Sequence, residues 1–144
     1  MLASLKKNLT TTLLLVILGV TDAYLLSHPN LIGRIGVLIY QHDYLKTFPR
    51  ALATVFLVVG TSLAICEVIR WQARPRVAVG WYLMLFVLGL SLFAYVYVTF
   101  SSFTYRLTGK AFIYGAHLLP ILLIGLFGRY LIMAIFEARK QPEV

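Results

Sequence analysis

Four long apolar segments occupy most of this sequence and constrain its fold more than any other feature. They cover residues 9–27, 51–69, 77–98 and 111–136. A helix needs about 20 predominantly apolar residues to cross the roughly 30 Å hydrocarbon core of a bilayer, and each segment is close to that length or longer. The sequence therefore predicts an all-α, polytopic membrane protein in which residues 1–144 form a single four-helix transmembrane domain.

The composition supports a membrane location independently of the segment boundaries. Hydrophobic residues make up 60% of the chain and charged residues 12%. Soluble domains contain about 45–50% hydrophobic and about 25% charged residues, so an ordinary soluble fold is excluded. The connectors are also too short to fold a separate soluble domain. We expect a multi-pass integral membrane protein surrounded by the lipid bilayer.

The basic residues predict the orientation of the chain in the membrane. The net charge is +8, but the lysines and arginines lie mainly at segment ends rather than in one block, so no nucleic-acid partner is expected. With a cytoplasmic N-terminus, the cytoplasmic side receives Lys6, Lys7, Arg70, Arg74, Arg76, Arg139 and Lys140. The opposite side then receives Arg34, Lys46, Arg50, Arg106 and Lys110. This excess predicts that both termini are cytoplasmic.

The lengths of two connectors predict which helices are neighbours. Residues 70–76 form a short connector in which Pro75 suits the first turn of the next helix, so the second and third segments should form an antiparallel hairpin. Residues 101–110 contain Ser, Thr and Gly turn residues and allow the third and fourth segments to pack side by side. An up-down-up-down helical bundle is the simplest arrangement that satisfies both connectors.

The connector between the first and second segments contains an apolar run at residues 31–40 that is too short to cross the membrane. It is predicted to be an interfacial or re-entrant segment, or to pack on a partner. Helical periodicity does not define a single apolar face, so these alternatives remain open. The residues expected to contact a partner are Leu31, Ile35, Leu38, Ile39 and Tyr40.

Glu67 and Arg129 are charged residues within the second and fourth segments. A charge at mid-membrane costs about 2.5–3.5 kcal/mol on insertion scales, so such side chains tend to face partners or water. Glu67 is expected to pair either with Arg70 on the same helix or with Arg129 across the bundle. A structural ion pair, or extension of the side chains to the headgroups, is favoured over an ion or substrate site.

Asp22 is the third charged candidate and lies near the end of the first segment. Because its predicted depth is small, we interpret it as an interfacial carboxylate that pairs with Arg50 or Lys110.

Two histidines suggest a less favoured chemistry. His117 lies within the fourth segment and His28 at the end of the first, and two imidazoles on facing helices can ligate haem b. Only His117 is clearly within the membrane, so packing with a hydrogen bond to a neighbouring helix is favoured for it, and no cofactor is expected. The sequence contains no HExxH or paired CxxC motif, and Cys66 is its single cysteine. We therefore predict no catalytic residue and no metal site, and do not expect an enzyme.

Small residues predict where helices approach each other closely. Gly115, Gly125 and Gly128 lie in the fourth segment, and Gly80 and Gly89 lie in the third. Such residues let helix backbones come into contact, and contacts within the bundle are the favoured interpretation.

These features lead to three functional hypotheses. The first is a noncatalytic subunit or assembly factor of a larger membrane complex, with other membrane-protein chains as partners. The alternative is a homo-oligomeric channel or small transporter that uses Glu67 and Arg129. A lower-ranked alternative is a haem- or quinone-linked electron-transfer membrane subunit.

Overall fold

The computed structural model describes residues 2–28, 47–102 and 109–140, with side chains from residue 9 onward. The predicted interfacial or re-entrant segment at residues 31–40 lies outside the described residues. So do all five of its proposed contact residues.

The described chain forms four helices, α1 (Leu2–Leu26), α2 (Phe48–Gln72), α3 (Pro75–Ser101) and α4 (Lys110–Lys140). Each contains a stretch that is long and apolar enough to cross a membrane. The prediction of an all-helical chain with four candidate spans is therefore confirmed.

Proline and glycine residues mark the helix starts. Pro49 lies in the first turn of α2 and Pro75 in the first turn of α3. Backbone N–H groups in a first turn have no acceptor within the helix, so a proline there costs no hydrogen bond. Gly109 precedes α4 with φ of 103°, a left-handed conformation that glycine adopts without strain. Pro120 lies inside α4, and the helix continues through it.

The fourth helix is the central element of the bundle. In its apolar stretch 39% of the residues are buried, compared with 6% in α3, so α4 lies at the centre and α3 at the periphery. α4 packs most extensively against α3, then against α1, and also touches α2. α1 packs additionally on α2. The contact between α2 and α3 is smaller, although they share the shortest connector, because α3 packs mainly along α4.

Two of the predicted small residues bring α3 and α4 together. A Cβ atom added to Gly89 would lie 3.2 Å from the side chain of Ile124, and one added to Gly128 would lie 3.3 Å from Phe86. Both distances are shorter than ordinary carbon contacts of about 3.5–4.0 Å. Gly89 and Gly128 therefore allow an approach that a larger side chain would hinder.

Gly115 performs the same role between α4 and α1. A Cβ atom added there would lie 2.9 Å from the backbone nitrogen of Leu26. Gly80 and Gly125 have no such neighbour within 4 Å, so the sequence pattern did not distinguish close contacts from open positions.

Two apolar clusters fill the bundle. The first joins α2, α3 and α4 and contains Cys66, Ala78, Tyr82, Leu123, Leu126, Phe127, Tyr130 and Ala134. The second joins α1, α2 and α4 and contains Ala23, Leu26, Ala51, Val55, Val59 and Phe112.

Candidate functional site

A partly buried hydrogen bond connects α2 and α4 at one end of the bundle. The hydroxyl group of Tyr130 donates to Oε1 of Glu67 at 2.5 Å. Tyr130 is buried and Glu67 is partly buried, so the bond is partly shielded from solvent. A donor to an ionised carboxylate makes a stronger hydrogen bond than a neutral pair does. The structure adds Tyr130 as a hydrogen-bond donor to Glu67, and the ion pair of Glu67 with Arg70 or Arg129 stays a prediction.

A second tyrosine extends this connection to α3. The hydroxyl group of Tyr82 donates to the backbone carbonyl of Cys66 at 2.8 Å. The rings of Tyr82 and Tyr130 lie 5.6 Å apart at an angle of 37°. The two phenols therefore join three helices at the level of Glu67. Tyrosines within apolar segments indicate such contacts in principle, because a buried hydroxyl needs an acceptor.

Arg70 points toward α4. Its guanidinium lies 3.9 Å from a carboxylate oxygen of Glu137, and the two side chains are 42% and 51% exposed. An exposed ion pair at this distance contributes little to stability. Arg70 is therefore held only weakly by Glu137.

A cleft of about 150 Å³ lies between α1, α2 and α4. The polar residues that line it are Thr11, Thr12, Glu67, Arg70, Arg129 and Tyr130. The structure thus brings the two charged residues singled out from the sequence, Glu67 and Arg129, to one site. Arg70, which the sequence offered as a partner of Glu67, lines the same cleft, and the structure adds Tyr130 and two threonines that were not predicted to belong to it.

A second cleft, of about 130 Å³, lies between α2, α3 and α4. Its lining includes Tyr82 and Glu137, and it shares Arg70, Tyr130 and Met133 with the first cleft. The shared residues separate the two spaces. A change in the position of Arg70 or Tyr130 would therefore affect both clefts.

Asp22 lies away from the clefts, inside the packing of α1 with its neighbours. Its exposed fraction is 0%, so packed helices enclose the carboxyl group, whereas an interfacial carboxylate was expected. Neither of its oxygens has a hydrogen-bond partner among the described residues. The expected pairing with Arg50 or Lys110 is therefore not made through a hydrogen bond.

His117 packs against α3 while its hydrogen bond stays within α4. Its Nδ1 atom donates to the carbonyl oxygen of Ile113 at 2.7 Å. The imidazole meets the rings of Phe93, Tyr97 and Phe100 at centroid distances of 6.0, 6.1 and 6.0 Å. The packing role predicted for His117 thus involves α3, but the hydrogen bond was expected to go to a neighbouring helix.

His28 has different surroundings at the end of α1. It is exposed, its Nδ1 atom lies 2.8 Å from the carbonyl oxygen of Tyr24, and the two rings are 4.2 Å apart. Haem ligation by His28 and His117 stays the less favoured alternative, which an absorption spectrum would test through the Soret band.

Chemically, the first cleft is suited to binding an anion. It combines two guanidinium groups with hydroxyl groups and one carboxylate that already accepts a hydrogen bond. Among the described residues, no group of three or more His, Cys, Asp or Glu side chains could hold a metal ion. No known protein family, curated protein or solved structure matches this chain.

Proposed function

We propose that this chain is a small membrane transporter or channel whose ligand-binding site is the cleft between α1, α2 and α4. The ligand carries an anionic group such as phosphate or carboxylate. The observation that carries this proposal is the convergence of Arg70 and Arg129 on one cleft between apolar helices. A plain membrane anchor would not require two such residues at one site.

The charges of the cleft support an anionic ligand. Arg70 and Arg129 provide two positive charges, and Glu67 provides one negative charge that is partly satisfied by Tyr130. A guanidinium group presents paired N–H donors that match two oxygens of a phosphate or carboxylate. The weak contact of Arg70 with Glu137 allows its side chain to turn toward a ligand.

The volume of the cleft restricts the size of the bound group. The cleft measures about 150 Å³, whereas pockets that enclose drug-sized ligands measure about 300–1,000 Å³. A single phosphate or carboxylate group is therefore the appropriate occupant. It could belong to a small anion or to the headgroup of an anionic lipid.

The finer arrangement in the membrane is part of the same proposal. The helices run up-down-up-down with both termini in the cytoplasm, and the predicted interfacial or re-entrant segment at residues 31–40 lies on the opposite side. The distribution of lysines and arginines supports this orientation. The cleft would then face the cytoplasmic half of the membrane. Because four helices enclose little space, the solute path would form between copies in a homo-oligomer.

The proposal is tested with purified protein reconstituted into liposomes, using labelled inorganic phosphate as the probe. We expect the wild type to take up phosphate. Arg129→Gln should raise the phosphate concentration that gives half-maximal uptake by roughly 10- to 100-fold, because a hydrogen bond to a charged group contributes about 1.5–3 kcal/mol. Arg139→Gln, which removes an exposed arginine of the same helix, is the matched control.

A second arm distinguishes a free anion from a lipid. Mass spectrometry of the protein from vesicles containing phosphatidylglycerol would reveal retained lipid, which Arg129→Gln should reduce and Arg139→Gln should not. If Arg129→Gln behaves like the wild type in both arms, the cleft is not an anion site.

A second candidate is a noncatalytic subunit or assembly factor, with α3 as the surface that meets other chains. The observation in its favour is the exposure of α3, of whose apolar stretch only 6% is buried. Purification in a mild detergent followed by mass determination of the intact assembly tests it. An assembly that contains a different chain in fixed ratio supports this candidate. An assembly of several copies of this chain supports the transporter, and a mass equal to one chain contradicts both.

A further inference from the structure

A buried acidic side chain lies within the apolar packing of α1, α2 and α4. Asp22 has an exposed fraction of 0%. Three positions before it, Gly19 packs beside Phe56 of α2. Four positions after it, Leu26 packs beside Gly115 of α4. Asp22 therefore belongs to the stripe of α1 that packs on the other two helices.

The carboxyl group has no hydrogen-bond partner in the part of the chain that the structure describes. The titratable and charged residues on the neighbouring parts of these helices are Tyr24, His28, Arg50, Lys110, Tyr114 and His117. None of them makes a hydrogen bond to Asp22.

An ionised carboxylate is strongly disfavoured when it has lost its water and gained neither a counterion nor a donor. A protonated carboxyl group is neutral, and apolar packing can hold it at much lower cost. Burial and the lack of a partner together favour the protonated form over the ion.

We propose that Asp22 is a proton-binding site, protonated while α1, α2 and α4 are packed together. Loss of the proton would require water or a cation to reach the carboxylate by opening this packing. The same three helices frame the proposed anion cleft, but the inference does not depend on that cleft, since it rests only on the surroundings of Asp22.

Infrared spectroscopy on the full chain in lipid tests the proposal directly. The sequence has two aspartates, Asp22 and Asp43, so protein labelled with a heavy carbon isotope at the aspartate carboxyl group gives two signals to assign. In labelled Asp43→Asn protein, Asp22 is the only source of the shifted band. We expect a carboxylic acid carbonyl band at neutral pH, absent from Asp22→Asn.

An isotope-shifted signal found only among the ionised carboxylate bands would overturn the proposal. If Asp22→Asn does not fold, the spectrum of labelled Asp43→Asn protein alone shows whether Asp22 is protonated. If Asp43→Asn does not fold, the difference between the spectra of labelled wild type and labelled Asp22→Asn shows it.

The pH dependence of unfolding gives a second measurement. If folded Asp22 keeps a proton that the unfolded chain releases, the folded state binds more protons, and the unfolding free energy falls as pH rises from the acidic range. In Asp22→Asn the unfolding free energy should fall less as pH rises. Glu137→Gln, which removes an exposed carboxylate, should show the same fall as the wild type. Equal slopes for wild type and Asp22→Asn would contradict a bound proton.

Discussion

Tyr130 and Glu67 show how a single hydrogen bond connects two helices that line the cleft. The phenol approaches the carboxylate from α4, and the bond restrains Glu67 beside Arg70 and Arg129. Without the Tyr130 hydroxyl group, the partly buried carboxylate of Glu67 would compete with a bound anion for these two arginines. Tyr130 is therefore expected to stabilise the bundle and to influence anion binding at the same time.

Tyr130→Phe should lower the free energy of unfolding by about 1.5–3 kcal/mol, because it removes a hydrogen bond to a charged group while keeping the ring. Tyr114→Phe is the matched control on the same helix, since Tyr114 is 65% exposed. Its effect should stay within about 0.5 kcal/mol. Reversible unfolding in mixed detergent micelles provides the measurement.

A double-mutant cycle identifies the partner of Glu67. Glu67→Gln and Tyr130→Phe should be coupled by about 0.5–3 kcal/mol, as expected for residues in contact. The cycle of Glu67→Gln with Arg129→Gln tests the ion pair predicted from the sequence. Additive effects in that second cycle would mean that the two charges share the cleft without pairing directly.

At the level of elements, α4 organises the bundle because it packs more extensively on the other helices than any other described helix does. Its glycines are not equivalent. Gly115 and Gly128 face neighbouring helices at short distance, whereas Gly125 has open space around it. The packing of α1 on α4, which surrounds Asp22 and borders the first cleft, therefore depends on the absence of a side chain at Gly115.

Gly115→Ala should destabilise the protein by about 1–3 kcal/mol, because its methyl group would lie 2.9 Å from the backbone of Leu26 and force α1 away. Gly125→Ala is the control with the same chemical change. It should leave stability unchanged or raise it by up to about 1 kcal/mol through helix propensity. Equal effects of the two substitutions on the unfolding free energy would show that α1 and α4 are not in close contact.

For the whole molecule, the net charge of +8 and its location at helix ends determine the expected orientation. In the proposed topology the cleft and both termini share the cytoplasmic side. The anion would then bind on the side where the basic residues are in excess.

Fusion of a reporter that fluoresces only in the cytoplasm should give signal at either terminus, because the basic residues favour retention of both ends on that side. Replacing Arg70, Arg74 and Arg76 with glutamine should reduce the signal by weakening the strongest cytoplasmic anchor. A terminal fusion that is dark although the protein is made and inserted would contradict the topology.

The sequence by itself determined the four candidate spans and placed Glu67 and Arg129 among the residues that needed an explanation. Hydropathy is a local property of the chain, and a charge within an apolar segment can be identified without a fold. Only the tertiary structure selected Tyr130 as the donor to Glu67 and added Thr11 and Thr12 to the cleft.

Those contacts depend on the rotation and tilt of each helix, which apolar residues on every face leave undetermined. Among nine tyrosines, only packing decides which hydroxyl group meets a carboxylate. The burial of Asp22 has the same origin, because its position near a segment end predicted an interfacial carboxylate, whereas the packing of α1 on α2 and α4 encloses it.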